Sequence, residues 1–294
     1  MNQTYDESDI KAMVSQILAT MVGTDPTSPS SAPVASPGVP ATTWMCDDQT
    51  TAEQMLAVPD PVDRQALVEM MRATSARIGR WRAGPRPTCA SLLRFRADHA
   101  AAMDAVFNDV STSLMESLGL CCVQSEAGDK AAYLMDPAIG ARFSSQTAKE
   151  ISDRCAHGAQ VQILVSDGLS STAVEANLAD LLPALLQGLK RHGLTVGTTM
   201  FVRYGRVRVM DEVSALLTPE VTLILLGERP GLVTNESLSC YMTYKGYPGA
   251  PENIRTVVSN IYRMGTPPTE AGAYIADIAK KMIEAKVSGM DLKL

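Results

Sequence analysis

The sequence predicts an α/β protein, and three observations in its C-terminal half indicate this class. Residues 161–165 are a short apolar, β-branched run, typical of a strand buried on both faces. A leucine-periodic segment, 178–189, predicts a helix, and apolar runs at 196–202 and 221–226 predict two further strands. Strands that alternate with helices favour a parallel sheet between helical layers. We therefore expect residues 151–294 to form a three-layer, Rossmann-like domain with a largely parallel sheet.

The remaining elements of this half follow from turn signals and periodicity. The leucine-rich helix ends at Gly193, and its Pro183 is tolerable if Asp180 caps a helix that restarts there. Residues 238–244 are a candidate fourth strand. A final helix is expected at about 269–286 because Thr-Pro-Pro precedes a segment of helical periodicity. Its inward face is predicted to carry Ala271, Tyr274, Ile275, Ile278, Met282 and Ile283.

Residues 46–150 are predicted to be mainly helical. Helical periodicity extends over 61–78, with Asp60 and Pro61 as the expected N-cap and first helical residue. The segment 79–87 is rich in Gly and Pro and is predicted to be irregular. A second helical pattern follows over 90–110. This region is either a separate lobe or an extension wrapped on the sheet domain.

The N-terminus carries an amphipathic pattern joined to the rest by a linker. Residues 1–22 predict a helix with one apolar stripe, and residues 23–45 are rich in Pro and Ser, as in flexible or extended linkers. A short isolated helix is only marginally stable in water, so this helix is expected to fold against another surface. The alternative is that it docks back on its own domain. The stripe comprises Ile10, Met13, Val14, Ile17, Leu18 and Met21.

Composition excludes several classes of function. A net charge of −6 and a pI near 5.2 argue against a nucleic-acid partner, which requires a basic surface. We predict no membrane partner, since no apolar stretch is long enough to span a bilayer. Six cysteines form no Cys-x-x-Cys pair, and three histidines are scattered, so no metal site is expected.

Two loops at expected strand ends are candidate ligand sites. In parallel sheets ligands gather beyond the carboxyl ends of the strands. Residues 166–171 lead into a helix and favour an ordinary capped helix start over an anion site. Residues 227–231 (GERPG) place a carboxylate and a guanidinium in a Gly/Pro frame, which suits either a ligand contact or a surface ion pair. No nucleophile–base signature occurs, and the adjacent Asp98 and His99 favour a structural role, so no catalytic residue is predicted.

Several blocks resemble the small (light) subunit of ethanolamine ammonia-lyase, from about residue 60 to the C-terminus. GERPGL and FVRYGRV at matched spacing are the most specific. The blocks are Arg82–Pro87, Leu92–Phe95, Ala97–His99, Ser166–Ser170, Phe201–Val207, Gly227–Leu232, Glu236–Tyr241 and Gly265–Pro268. The resemblance implies a carbon–nitrogen lyase that converts ethanolamine to acetaldehyde and ammonia with adenosylcobalamin. In that family the substrate site lies on the large subunit, and the small subunit covers the cofactor at the interface.

The resemblance also implies site residues, partners and a location. Cofactor contacts fall on Val207, Glu228 and Val257, the last at a position where a family member has Cys. The expected partners are the large subunit and a microcompartment, reached through the helix in residues 1–22, in the bacterial cytoplasm. Because the Asp-x-His-x-x-Gly motif is absent, cobalamin is expected to be bound base-on, with its own benzimidazole on cobalt.

Two alternatives to this interpretation remain. One is a structural adaptor that recruits the lyase to a microcompartment without touching the cofactor. The other is a free-standing nucleotide-binding enzyme, which the missing Gly-x-Gly-x-x-Gly fingerprint disfavours.

Overall fold

The computed structural model describes residues 55–74 and 76–293. The predicted N-terminal helix (1–22) and the whole predicted linker (23–45) therefore lie outside the described residues. The helices are α1 (Arg64–Ala73), α2 (Cys89–Phe107), α3 (Thr112–Ser117), α4 (Lys130–Met135), α5 (Ser145–Arg154), α6 (Ser171–Arg191), α7 (Val209–Leu217) and α8 (Pro268–Ala285). The strands are β1 (Arg82–Ala83), β2 (Arg86–Pro87), β3 (Cys121–Gln124), β4 (Val161–Ser166), β5 (Met200–Arg203), β6 (Val221–Gly227), β7 (Leu238–Tyr244) and β8 (Thr256–Ile261). Short 3₁₀ turns lie at Ile139–Ala141, Glu252–Ile254 and Gly289–Asp291.

A six-stranded sheet, ordered β3-β5-β4-β6-β7-β8, organises the fold. The first four strands in this order are parallel to one another, whereas β7 is antiparallel to both β6 and β8. Every residue of β4 and β6 is buried, as their continuous apolar character predicts. This arrangement confirms the predicted α/β class with a largely parallel sheet.

Helices cover the two faces of the sheet unequally. On one face α6 and α8 pack against alternate residues of β4, β6 and β7, including Ile163, Leu223 and Cys240. On the other face α5 and α7 pack against the intervening residues, including Leu164 and Ile224. Above β7 and β8 this second face carries no helix of the described chain, and an open surface remains there.

The sheet begins earlier in the chain than we predicted. Strand β3 lies within the region expected to be mainly helical, and its four residues pair with β5 from Cys121↔Met200 to Gln124↔Arg203. Strand β8 was likewise not predicted. Both are edge strands, so one side of each is unpaired, and neither carries the continuous apolar run that marks a central strand. Their sequences alone therefore resembled loops.

Three smaller expectations were wrong. The N-cap of α1 is Asp63, not Asp60, because the Asp63 carboxylate accepts the Ala66 N–H at 2.9 Å. Helix α6 runs through Pro183 without restarting at Asp180, since the proline faces solvent and removes only one backbone donor. The strand predicted at 196–202 is confined to Met200–Arg203, whereas Val196 makes only an isolated bridge to Val161.

The leucine face of α6 and most of the expected face of α8 are buried as predicted. Tyr274 is an exception, as it is 46% exposed. Among the described residues, no helix combines the length and apolarity needed to cross a bilayer.

Candidate functional site

The open face of β7 and β8 forms one wall of a cleft of about 660 Å³. The loop that joins β6 to β7 forms another wall. The lining residues are Glu228, Arg229, Gly231, Leu232, Val233, Thr234, Ser237, Ser239, Tyr241, Val257, Ser259 and Asn260. Hydroxyl, carboxylate, amide and guanidinium groups thus alternate with a few apolar side chains, which suits a ligand with many polar substituents.

Glu228 is held in this cleft from two sides. It follows the last residue of β6, and its backbone N–H donates to the Ser237 carbonyl at 3.0 Å. The Tyr241 hydroxyl donates to Glu228 Oε1 at 2.9 Å from the adjacent strand. Burial, followed by the neighbouring carboxylate, raises the pKa of Tyr241, so the phenol is protonated at neutral pH and serves as the donor. Glu228 therefore presents an oriented carboxylate to the cleft.

Ser239 lies deeper, on the same face of β7 as Tyr241. The residue is fully buried, and its Oγ has no hydrogen-bond partner among the described residues. A buried polar atom without a partner costs about 1–3 kcal/mol. A ligand that offers a donor or acceptor to Ser239 Oγ would recover part of that cost.

The two loops singled out by sequence contact each other. The Leu169 N–H donates to the Gly227 carbonyl at 2.9 Å. Gly168 has φ of +53°, and a Cβ there would lie 2.4 Å from the Gly227 oxygen. A Cβ on Gly227 would lie 2.1 Å from the Ser170 oxygen. Glycine is therefore required on both sides of this contact, which positions Glu228 at the sheet edge.

The cleft loop is also fastened at its far end. Ser170 Oγ donates to the Asn235 carbonyl at 2.5 Å, and Asn177 Nδ2 donates to the Glu236 carbonyl at 2.7 Å. Asn235 Nδ2 donates to the Ala101 carbonyl of α2 at 3.3 Å. Side chains from α6 and the backbone of α2 thus hold the loop, so this wall of the cleft is largely preformed.

The 166–171 loop itself has a structural role, as the sequence favoured. Ser170 caps α6 by accepting the Ala173 N–H at 3.0 Å. The buried Asp167 carboxylate binds Lys130 Nζ at 2.9 Å and accepts the Tyr204 N–H at 2.7 Å. The bond between Asp167 and Tyr204 joins the ends of β4 and β5. The 166–171 loop thus supports the neighbouring 227–231 loop.

The structure places two of the three predicted contact residues in the cleft. Glu228 lies at its wall, and Val257 lies on β8 opposite Tyr241, with 46% of its surface exposed. Val207 is not among the lining residues. It lies in the turn between β5 and α7, is partly buried against the hydrophobic residues of that face, and accepts the Met210 N–H at 3.2 Å.

A network of ion pairs connects the turn that contains Val207 to β8, the strand that carries Val257. Arg208 pairs with Glu252 at 2.8 Å, and Glu252 pairs with the buried Arg255 at 2.5 Å. Arg255 also pairs with Asp211 of α7 at 2.5 Å. The sequence contained no signal for this network, since two of its three ion pairs join residues 44 positions apart.

Asp98 and His99 both contact side chains of the helical region. Asp98 pairs with Arg77 at 2.6 Å and with Arg94 at 2.9 Å, and His99 stacks on Phe95. Over the described part of the chain, no group of three or more His, Cys, Asp and Glu side chains is placed to hold a metal ion.

Comparison with known proteins identifies the family. A model of the ethanolamine ammonia-lyase light chain matches residues 64–293. The ethanolamine ammonia-lyase small subunit of Clostridium tetani is 46% identical over 294 residues, 99% of this chain and 100% of that protein. That of Fusobacterium nucleatum is 48% identical over 250 residues, 84% of this chain and 85% of its own length. That of Listeria monocytogenes serotype 4a is 43% identical over 292 residues, 98% and 100% of the two chains.

These matches span the sheet, the cleft and the helical region before them. The resemblance drawn from GERPGL and FVRYGRV is thereby confirmed. The chain belongs to the small-subunit, or light-chain, family of ethanolamine ammonia-lyase, and is a subunit of a lyase.

Proposed function

We propose that this chain holds part of adenosylcobalamin in the cleft, at its interface with the large subunit of ethanolamine ammonia-lyase. The assembled enzyme would convert ethanolamine to acetaldehyde and ammonia. The observation that carries the proposal is that Glu228 and Val257 line one preformed cleft, together with the unpartnered Ser239 Oγ. Family membership supplies the reaction.

The chemistry of the cleft suits the rim of a corrin ring. Corrins carry peripheral amide side chains, which donate and accept hydrogen bonds. The Glu228 carboxylate can accept from an amide N–H, and Ser239 Oγ can pair with an amide that reaches the cleft floor. Val257 offers apolar contact, which requires no particular functional group. A complete cobalamin is larger than this cleft, so the large subunit would enclose the remainder.

The residues of this chain bind and orient rather than react. When bound, adenosylcobalamin supplies the carbon radical that abstracts a hydrogen atom from substrate. The Tyr241 hydroxyl fixes the Glu228 carboxylate, and the interlocked loops keep the cleft wall in place. Val207 lies on the neighbouring turn, so it would contact only a part of the cofactor that extends beyond the cleft. Together these contacts would exclude water from one side of the cofactor.

Base-on binding is part of the proposal. None of His99, His157 and His192 lines the cleft, and His157 and His192 already contact the Ser152 carbonyl and Asp277 respectively. The described histidines of this chain would therefore not serve as ligands of cobalt, which suits base-on binding. An electron paramagnetic resonance spectrum of the cob(II)alamin form, recorded with ¹⁵N-labelled protein, would retain an unlabelled nitrogen ligand.

Substitution of Glu228 tests the cofactor contact. We expect Glu228→Ala to weaken adenosylcobalamin binding to the assembled enzyme by about 1.5–3 kcal/mol, roughly one to two decades, because one charge-assisted hydrogen bond is lost. Binding is measured by titrating the absorption change of cobalamin. Turnover at saturating cofactor should fall much less, since the substrate site is expected on the large subunit.

Two variants control this experiment. Glu228→Gln keeps an acceptor oxygen and should retain part of the affinity, whereas Glu116→Ala removes an exposed carboxylate from α3, outside the cleft lining. Unchanged affinity in Glu228→Ala would favour the adaptor alternative. Unchanged affinity with collapsed turnover would instead mean that Glu228 is catalytic.

A second part of the proposal concerns residues 1–22, which we propose carry the enzyme into a bacterial microcompartment in the cytoplasm. Support comes from the apolar stripe of this segment and from the Pro/Ser-rich linker that follows it. Removal of residues 1–22 should leave acetaldehyde production intact while abolishing co-sedimentation with microcompartments. A truncated enzyme that still co-sediments, or that loses activity, contradicts this role.

A further inference from the structure

Helix α2 turns most of its surface away from the rest of the described chain. Of its 19 residues only Ala105 is fully buried. Five residues on its outer side are all exposed, and among them Leu93, Met103 and Phe107 are 67%, 47% and 56% exposed. These five are Leu93, Arg96, Ala100, Met103 and Phe107, here called the outer stripe.

The outer stripe has the spacing of a helix-packing seam. Its members follow one another at intervals of three, four, three and four residues, which is the a–d pattern of a heptad repeat. The inner side of α2 is separate: Asp98 pairs with Arg77, the Ala101 carbonyl accepts from Asn235, and the Ala105 carbonyl accepts from Ser171 Oγ at 3.2 Å. The stripe is therefore not needed to hold α2 on its own domain.

The chain segment that leads into the outer stripe is basic although the chain as a whole is acidic. Residues 70–97 contain seven arginines and neither Asp nor Glu, whereas the chain as a whole carries a net charge of −6. Arg96 is a member of the stripe and is exposed. A partner that packs here would place a carboxylate near Arg96. The outer stripe itself contains no acidic residue, so a second copy packed stripe to stripe would offer Arg96 no stripe carboxylate to pair with.

We infer that the outer stripe docks a helix of the large subunit, with an acidic residue of that helix opposite Arg96. This rests on the proposed function, in which the large subunit closes the cofactor cleft. Continuity supports it: the hydrogen bond from Asn235 to Ala101 joins the cleft loop to α2, so a partner that covers the loop reaches α2 next. The helix is about 28 Å long at 1.5 Å per residue, enough for four turns of packing.

Assembly without cofactor tests the inference. The double variant Leu93→Gln, Met103→Gln should bind the large subunit at least tenfold more weakly, measured as a dissociation constant by biolayer interferometry. Arg96→Glu should weaken binding comparably. Matched controls are Met135→Gln with Met290→Gln, which alter two methionines that are 86% and 83% exposed elsewhere, and Lys149→Glu on α5. Unchanged binding by the stripe variants overturns the inference.

Hydrogen exchange of the α2 amides identifies what packs on the outer stripe, and melting temperatures check that the variants fold. In the full chain, protection of the α2 amides should rise only when the large subunit is added. If α2 is protected in the free chain and Ile10→Gln with Ile17→Gln removes that protection, its own N-terminal stripe occupies the site. If protection rises with the concentration of this chain alone, a second copy does. Either result overturns the inference, and equal melting temperatures of the free variants exclude misfolding.

Failure of docking at the outer stripe can be distinguished from failure of the cofactor proposal. Glu228→Ala should assemble normally and lose cofactor affinity, whereas the stripe variants should lose assembly at every cofactor concentration. If the stripe variants assemble normally while Glu228→Ala binds the cofactor more weakly, docking at α2 is refuted and the cofactor contact is not. The reverse pattern would refute the cofactor contact alone.

Discussion

Tyr241 and Glu228 show how a polar pair in the cleft is assembled from two strands. Glu228 follows β6, Tyr241 lies on the antiparallel neighbour β7, and their side chains meet at 2.9 Å on the uncovered face of the sheet. The phenol is protonated because burial and the nearby carboxylate both raise its pKa. One carboxylate oxygen is therefore oriented by the protein, while the carboxylate as a whole faces the cleft.

We expect Tyr241→Phe to weaken cobalamin binding in the assembled enzyme by about 0.5–1.5 kcal/mol, roughly two- to tenfold, because Glu228 loses its orienting donor. The effect should be smaller than that of Glu228→Ala, and the double variant should be no weaker than Glu228→Ala alone. Tyr244→Phe, on the same strand but outside the cleft lining, is the control. Fully additive losses in the double variant would mean that Tyr241 acts independently of Glu228.

At the scale of elements, two loops from different strands form one unit. The turn after β4 supplies a glycine at positive φ, Gly168, and β6 ends in a glycine, Gly227, whose carbonyl packs against it. This close approach places the cleft loop where α6 can bind its far end through Ser170 and Asn177. The shape of the cleft thus depends on residues outside its lining.

Gly168→Ala tests this interlock. We expect a loss of about 2–5 kcal/mol in the free energy of unfolding, the sum of about 1–2 for positive φ and about 1–3 for the clash with Gly227. Gly158→Ala is the matched control, because Gly158 has φ of +65° but nothing within 4 Å of its added Cβ. It should lose only the backbone part, as measured by urea unfolding. Equal losses in the two variants would mean that the Gly168–Gly227 contact carries no energy.

At the scale of the whole molecule, three carboxylates in and near the cleft are already engaged by other described residues. The carboxylate of the cleft is occupied by Tyr241, and the buried carboxylates Asp167 and Asp211 are paired with Lys130 and Arg255. Paired groups of this kind stabilise a fold and are poorly suited to transfer protons.

The isolated chain should therefore release no acetaldehyde from ethanolamine when supplied with adenosylcobalamin. Activity should appear on addition of the large subunit, measured by acetaldehyde release. The control is the large subunit with cofactor but without this chain, which measures how much acetaldehyde the large subunit releases by itself. Robust turnover by the isolated small subunit would refute the view that it is a cofactor-binding subunit.

Sequence by itself determined the class of the fold, the central strands and the principal helices. Strands β4 and β6 and helices α6 and α8 are visible because burial on both faces, or along one stripe, imposes a local pattern of apolar residues. It also determined the family, since GERPGL and FVRYGRV are contiguous, and that resemblance singled out Val207, Glu228 and Val257, of which the last two line the cleft.

The surroundings of those residues depend on how distant segments of the chain pack. Edge strands β3 and β8, the Tyr241–Glu228 bond, the unpartnered Ser239 hydroxyl and the outward direction of the α2 stripe have no local signature. Each depends on which distant segment covers a given face. A strand buried on both faces must be apolar throughout, whereas a half-covered strand or helix accepts many residues, and its surroundings are settled only when the chain packs.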